Sequence, residues 1–235
     1  MKLYAFSDFP LSGDPPTKPM DIFGENWKNH REKILSAWKE TITAGDTVIM
    51  AGDISWATHL EDALSDLKTL SALPGRKIIV RGNHDYWWNT VSKMKRMTDN
   101  AFEFIFNSAL SVENIALAGT RGWIPETSKK ITEEDKVIIL REQGRLERSL
   151  IEAEKFNCEK IFAILHYPPF DEQRRPTKMM EIMKSHGVTD CIYGHIHGKQ
   201  NFNNLPKELE GIQLHLTSSD YLDFKPLLLT EWNES

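Results

Sequence analysis

The stretch KIIVRGNHDYWW, residues 77–88, decides how the rest of the chain is read. Lys77 to Val80 reads as a short β-strand that stops at Arg81-Gly82. Asn83, His84 and Asp85 follow at once. An amide oxygen, an imidazole and a carboxylate are therefore crowded behind one strand end and a tight glycine turn. Taken singly, such residues are turn formers and helix caps. Together they are groups that ligate metals and move protons.

Four other places repeat the layout. The run Leu3–Phe6 ends at Ser7-Asp8, MAGDISW carries Asp53, ILHYPP carries His166, and IYGHIHG carries His195 and His197. In open α/β sheets, binding sites form beyond the carboxyl ends of strands. Five strand ends bearing Asp, Asn and His are therefore expected to serve one crevice. In GHIHG, residues two apart on an extended chain would point the same way, and the flanking glycines allow close backbone approach.

The rest of the chain supplies a scaffold for such loops. β-type runs are read at 3–6, 47–51, 77–80, 102–106, 115–119, 160–165, 191–193, 212–216 and 226–229. Amphipathic segments lie between them, near 25–43, 59–72, 88–98, 132–156 and 177–186. The longest opens with Thr132 and Asp135 in capping-box spacing, and Ile139, Leu146, Leu150 and Ala153 recur at helical intervals. Strands alternating with helices predict an α/β chain with parallel or mixed sheets covered by helices. No internal repeat or linker divides residues 1–235, so one domain is expected.

Composition narrows the class. With 40% hydrophobic and 27% charged residues, the chain reads as globular. A net charge of -5 argues against nucleic-acid partners, which need basic surface. No apolar run is long enough to span a membrane, and the apolar start is too short for a signal peptide, so a cytoplasmic location is expected. Cys158 and Cys191 form no CxxC pair and read as buried free thiols. Carboxylate, amide and imidazole ligands without thiolate suit Mn, Fe or Zn. This many ligands would serve two ions about 3.5–4 Å apart, bridged by one carboxylate.

The ordered set GD (Gly52-Asp53), GNHD (Gly82–Asp85), a lone His166 and GHIH (Gly194–His197) resembles the calcineurin-like metallophosphoesterases. The resemblance runs from Asp8 to His197. It implies two mixed β-sheets packed as a sandwich and flanked by α-helices. It also implies two divalent metal ions, Mn ahead of Fe or Zn, and a phosphate-ester substrate. Asp8 and His197 would bind the first metal and Asn83, His166 and His195 the second, with Asp53 bridging. His84 would protonate the leaving oxygen, and Asp85 would hold its ring. The family pattern opens D-x-H, whereas position 10 here is Pro10, which offers no side-chain ligand. The first site then lacks a protein ligand and is expected to be weaker, with water filling the place. His30 and His59 are the nearby substitutes, although on helical stretches both read as solvated.

Phosphate also needs cations, because a guanidinium can hold two phosphate oxygens. Arg121, in GTRGW after a strand, is the chosen substrate contact, while Arg174 and Arg175 in a charged stretch read as solvated. Of Tyr86, Trp87 and Trp88, two are expected in the core and one beside the substrate. Two other readings compete with a phosphodiesterase or monoesterase. One is a nuclease, which the acidic charge disfavours. The other is a catalytically weakened protein-interaction scaffold with no identified partner, which Pro10 favours and the retained ligands oppose. Restoring histidine by Pro10→His should tighten the first metal and raise turnover; titration of Mn against activity in both proteins checks this.

Overall fold

A computed structural model describes residues 1–13 and 16–232, so Asp14 and Pro15 of the Pro-rich loop lie outside the described residues. The chain separates into two units, Met1–Phe104 with Thr217–Ser235, and Ile105–Leu216. Each has its own mixed sheet and its own helices.

In the first unit, β1 (Lys2–Ala5), β2 (Thr47–Met50), β3 (Arg76–Ile79) and β4 (Glu103–Phe104) run parallel. The last strand, β11 (Leu227–Glu231), joins the far edge antiparallel to β1, giving the order β11-β1-β2-β3-β4. Val48, Ile49 and Met50 are wholly buried, as a central parallel strand requires. Helices α1 (His30–Thr41), α2 (Leu60–Ser71) and α3 (Val91–Met97) connect the strands. Leu60, Ala63, Leu67 and Leu70 form the buried face of α2 at three- and four-residue spacing. Helix α1 starts at His30 rather than near 25, because Asn29 is left-handed (φ 54°) and cuts off a 3-10 turn at Glu25–Trp27. Helix α3 starts at Val91, capped by the Thr90 side chain, which leaves Trp88 in a loop against Phe104.

The second unit has the order β5-β6-β7-β8-β10-β9. Strands β6 (Ile115–Thr120), β7 (Lys160–Leu165), β8 (Asp190–Tyr193) and β10 (Ile212–Leu216) are parallel. At the edges, β5 (Ala109–Val112) and β9 (Glu208–Leu209) pair antiparallel with β6 and β10. Helix α4 (Glu133–Glu154) begins at the expected Thr132/Asp135 capping box and buries Ile139, Leu146, Leu150 and Ala153. Helix α5 (Lys178–Ser185) buries Met179, Met180, Ile182 and Met183. Two mixed sheets flanked by helices are thus present, as expected.

The two edge strands β5 and β9 had no apolar signal of their own. Strand β9 is defined by its turn, in which Glu210 (φ 54°) and Gly211 (φ 85°) are both left-handed and join two short strands. Of the two thiols, Cys191 is buried and burial pushes its pKa up, but Cys158 is half-exposed, which corrects its assignment to the core. Among the described residues no helix is long and apolar enough to cross a membrane.

The aromatic centre of the first unit is Trp38, wholly buried against Phe6 and Phe9, with its indole N–H donating to the Pro74 carbonyl at 2.9 Å. Trp38→Ala should cost about 3–5 kcal/mol and Trp38→Phe less. Urea unfolding midpoints at constant m-value would check the ordering.

Candidate active site

The first unit carries Asp8, Asp53, Asn83 and His84 on the loops that leave β1, β2 and β3. Because these strands are parallel neighbours, their carboxyl ends line one edge of the sheet. The loops are then laced together. Asp8 N–H donates to the Gly52 carbonyl at 3.1 Å, Leu11 N–H to Ile54 at 2.9 Å, and Trp56 N–H to Leu11 at 2.8 Å. Asp8 (φ 56°) and Asp53 (φ 55°) are both left-handed, a conformation that aspartate tolerates better than most residues. Gly52 and Gly82 lie back to back. A β-carbon on Gly82 would collide with the Asp53 carboxylate and backbone nitrogen, and one on Gly52 with the Gly82 backbone. The GD and GNHD loops need these glycines in order to touch.

Asp85 ties the same loops from below. Its carboxylate is fully buried and accepts N–H groups from Gly82 (2.8 Å), Asp53 (2.9 Å), Ile54 (2.8 Å) and Ser55 (3.4 Å), and the Trp87 indole N–H at 3.0 Å. The resemblance led to an expected contact with the His84 ring; the hydrogen bonds found on this carboxylate are those from these N–H groups. The tight glycine turn aims backbone N–H groups inward, and they claim the carboxylate first. His84 is braced otherwise. Its N–H donates to Asp53 Oδ1 at 2.8 Å, and its ring lies 4.6 Å from Trp56 and 6.3 Å from Tyr86, centroid to centroid. Trp87 is buried and Trp88 packs on the core, while Tyr86 is exposed, so two of the three aromatics belong to the core.

Asp8 has partners that the sequence reading did not find. Ser218 Oγ donates to Asp8 Oδ2 at 3.0 Å, and Ser219 Oγ to the Asp8 carbonyl at 2.5 Å. A signal existed, because TSSD (217–220) follows a strand in the same layout as the other loops. Position 10 is buried. Of the two nearby histidines, His59 is exposed beside the start of α2, as expected. His30 is not solvated. It is buried edge-on to Trp27, and burial lowers its pKa, opposed in part by the Pro10 carbonyl. Beneath the loops, burial likewise raises the pKa of Asp66, which accepts Ser55 Oγ at 2.5 Å and Gly13 N–H at 2.8 Å.

The second unit carries Arg121, His166, His195 and His197 just beyond β6, β7 and β8. The Arg121 carbonyl accepts N–H groups from both His166 (3.0 Å) and Tyr167 (2.9 Å), and the His166 carbonyl accepts Gly194 N–H at 3.1 Å. These bonds register the three loops. His166 is fully buried, its ring 5.1 Å from that of His195, and the Tyr167 ring lies 4.1 Å from the His195 ring. The GHIH segment is not extended. His195 has φ 71° and Ile196 N–H donates back to Gly194 at 2.9 Å, a γ-turn, so strand alternation does not orient the two histidines. The Arg121 guanidinium is 3.7 Å from the wholly buried Glu142 and lies 4.3 Å over the Trp123 ring. Glu142 also accepts Thr120 Oγ1 at 2.5 Å and pairs with Arg145 at 2.6 Å. Arg121 is thus built into the unit through both its carbonyl and its side chain.

The donors in each unit fit divalent cations. Buried carboxylate oxygens held by hydroxyl and N–H donors, and two imidazoles at 5.1 Å, are hard-to-borderline ligands with no thiolate among them. The sequence model of the calcineurin-like phosphoesterase family matches residues 1–199. The chain belongs to this family. Solved structures agree on the fold of the phosphoesterase. The protein TT1561 of Thermus thermophilus is similar at 13% identity and TM-score 0.59, covering 96% of each chain. Phosphopantetheinyl hydrolase from Mycobacterium tuberculosis is 12% identical at TM-score 0.52, covering 100% of this chain and 98% of its own. The calcineurin-like phosphoesterase YfkN from Bacillus subtilis is 12% identical at TM-score 0.50, covering 92% and 80%. We found no match among curated proteins.

The Asp85 nest predicts a specific lesion. Asp85→Asn places an amide group among N–H donors and should cost about 2–4 kcal/mol. Asp85→Glu keeps the charge but not the length, and should recover less than half of the loss in thermal unfolding.

Proposed function

We propose that the chain is a metal-dependent phosphoester hydrolase whose two units act as one domain. Asp8 and His197 would hold one divalent cation and Asn83, His166 and His195 a second, with Asp53 shared. The observation that carries this reading is the presence of ligand-type residues on the strand-end loops of both units in a chain of this family. Buried Asp8 and Asp53 are oriented by Ser218 and by the His84 N–H, and the Asp85 nest keeps GNHD in place. Mn is the preferred ion, with Fe or Zn able to use the same ligands.

Bound cations would supply Lewis acidity toward the phosphoryl oxygens and lower the pKa of a coordinated water. The residues of the chain do the rest. Asp8 and Asp53, left-handed and hydrogen-bonded, keep their carboxylates aimed without reorganisation. His84 protonates the leaving oxygen. Its backbone is tied to Asp53 and its ring is braced by Trp56, which limits the orientations it samples. Pro10 leaves the first cation one protein ligand short, while Ser218 braces the Asp8 carboxylate and Ser219 its main-chain carbonyl. The net charge of -5 supports an ester that is not a nucleic acid.

Purified protein with added Mn should hydrolyse bis-p-nitrophenyl phosphate or p-nitrophenyl phosphate and carry two ions by native mass spectrometry. Asn83→Ala and Asp53→Asn should each lower turnover by at least about 100-fold with an unchanged fold by circular dichroism. No turnover at any Mn level, with one ion or none bound, would replace the hydrolase with a scaffold.

A further inference from the structure

Within the second unit, a cleft of about 390 Å³ opens beside His195 and His197. Its apolar lining comes from Tyr167, Phe170, Ile196, Ile124 and Pro125. Arg174 is the one arginine or lysine among the residues that line this cleft. It follows Phe170 in the loop after His166, where the sequence suggested only a solvated cation. It is half-buried instead, with the guanidinium 5.3 Å over the Phe170 ring and Nη2 donating to the Asn201 carbonyl at 3.4 Å. Asn201 in turn donates from Nδ2 to the His197 carbonyl at 2.7 Å. The arginine is therefore tied to the GHIH loop by two successive hydrogen bonds.

The neighbouring charges are unequal. Asp171 is consumed by Arg175, whose guanidinium approaches to 2.7 Å, and by the N–H groups of Gln173 and Arg175. Among the described residues Arg174 makes no ion pair, and it is one of the residues that line the cleft. Glu172 is the one other acid on the lining, and it is exposed. A guanidinium stacked on an aromatic ring is pre-organised, so it gives up little freedom when it takes a carboxylate or phosphate in a two-pronged bond.

We propose that this cleft receives the organic side of the ester, and that Arg174 reads a second anionic group on it. The substrate class is then a phosphoester whose leaving group has a compact apolar or planar body ending in a carboxylate or another phosphate. The assignment rests on the hydrolase reading for the word ester, but the binding itself is independent of turnover. Arg174 is a specificity residue here and takes no part in bond breaking.

Non-hydrolysable phosphonates separate the two statements. Calorimetry on the full chain in Mn buffer would compare phenylphosphonate, para-carboxyphenylphosphonate and para-phenylene diphosphonate. The two ligands with a second anion should bind about tenfold more tightly than phenylphosphonate, the gain of one charge-assisted bond. The ratio between those two ligands tells carboxylate from phosphate. Arg174→Gln should bring the preference to unity, Arg174→Lys should retain part of it, and Glu172→Gln should increase it. Equal affinities in the unaltered protein, or a preference that survives Arg174→Gln, would overturn the subsite. Turnover of p-nitrophenyl phosphate in the same preparations tests the hydrolase reading separately.

Discussion

One buried carboxylate organises the loops of the first unit. Removing Asp85 from water costs several kcal/mol, and a single hydrogen bond to a charged group returns only about 1.5–3 kcal/mol. Five donors from Gly82, Asp53, Ile54, Ser55 and Trp87 are what make the burial tolerable. Their net contribution to stability is modest, but their geometric effect is large. The backbone N–H of Asp53 and that of Gly82, which precedes Asn83 and His84, are bound to the same carboxylate oxygen, Asp85 Oδ2. The glycines complete the arrangement, because Gly52 and Gly82 touch where any side chain would push the loops apart.

The second unit solves the same problem with carbonyls instead of a carboxylate. Arg121 holds two consecutive N–H groups of the His166 loop, and His166 holds Gly194. The guanidinium of Arg121 is fastened behind them to Glu142 and Trp123. A substitution at Glu142 therefore reaches a candidate ligand loop through Arg121 without touching it. This gives the buried acid in the middle of α4 a purpose that helical periodicity does not explain.

Pro10 acquires a clear physical context. It occupies a buried position in a loop held on both sides, with Asp8 bonded to Gly52 and Leu11 bonded to Ile54. The backbone of the loop is held by these bonds although the side chain at position 10 offers no ligand. Ser218 and Ser219 brace Asp8, so the aspartate stays oriented without a histidine neighbour. Asp8 is completely buried, and a buried carboxylate needs a donor such as the Ser218 hydroxyl.

The strands and helices were legible because each central strand is a short apolar run and each helix repeats its apolar face every three or four residues. The loop residues were legible because polar ligand-type side chains rarely follow strand after strand by chance. The partners of those residues were not. Whether Asp85 holds a histidine ring or a nest of N–H groups depends on where the Gly82 turn aims its backbone. Whether Arg174 is solvated or stacked depends on where Phe170 lands. Whether the GHIH histidines share a side depends on a left-handed φ at His195. By itself the sequence determined the element order, the loops and the chemical types gathered on them. The tertiary structure alone decided which donor meets which acceptor, because many of those pairings join residues tens to hundreds of positions apart, and local pattern carries no record of such distances.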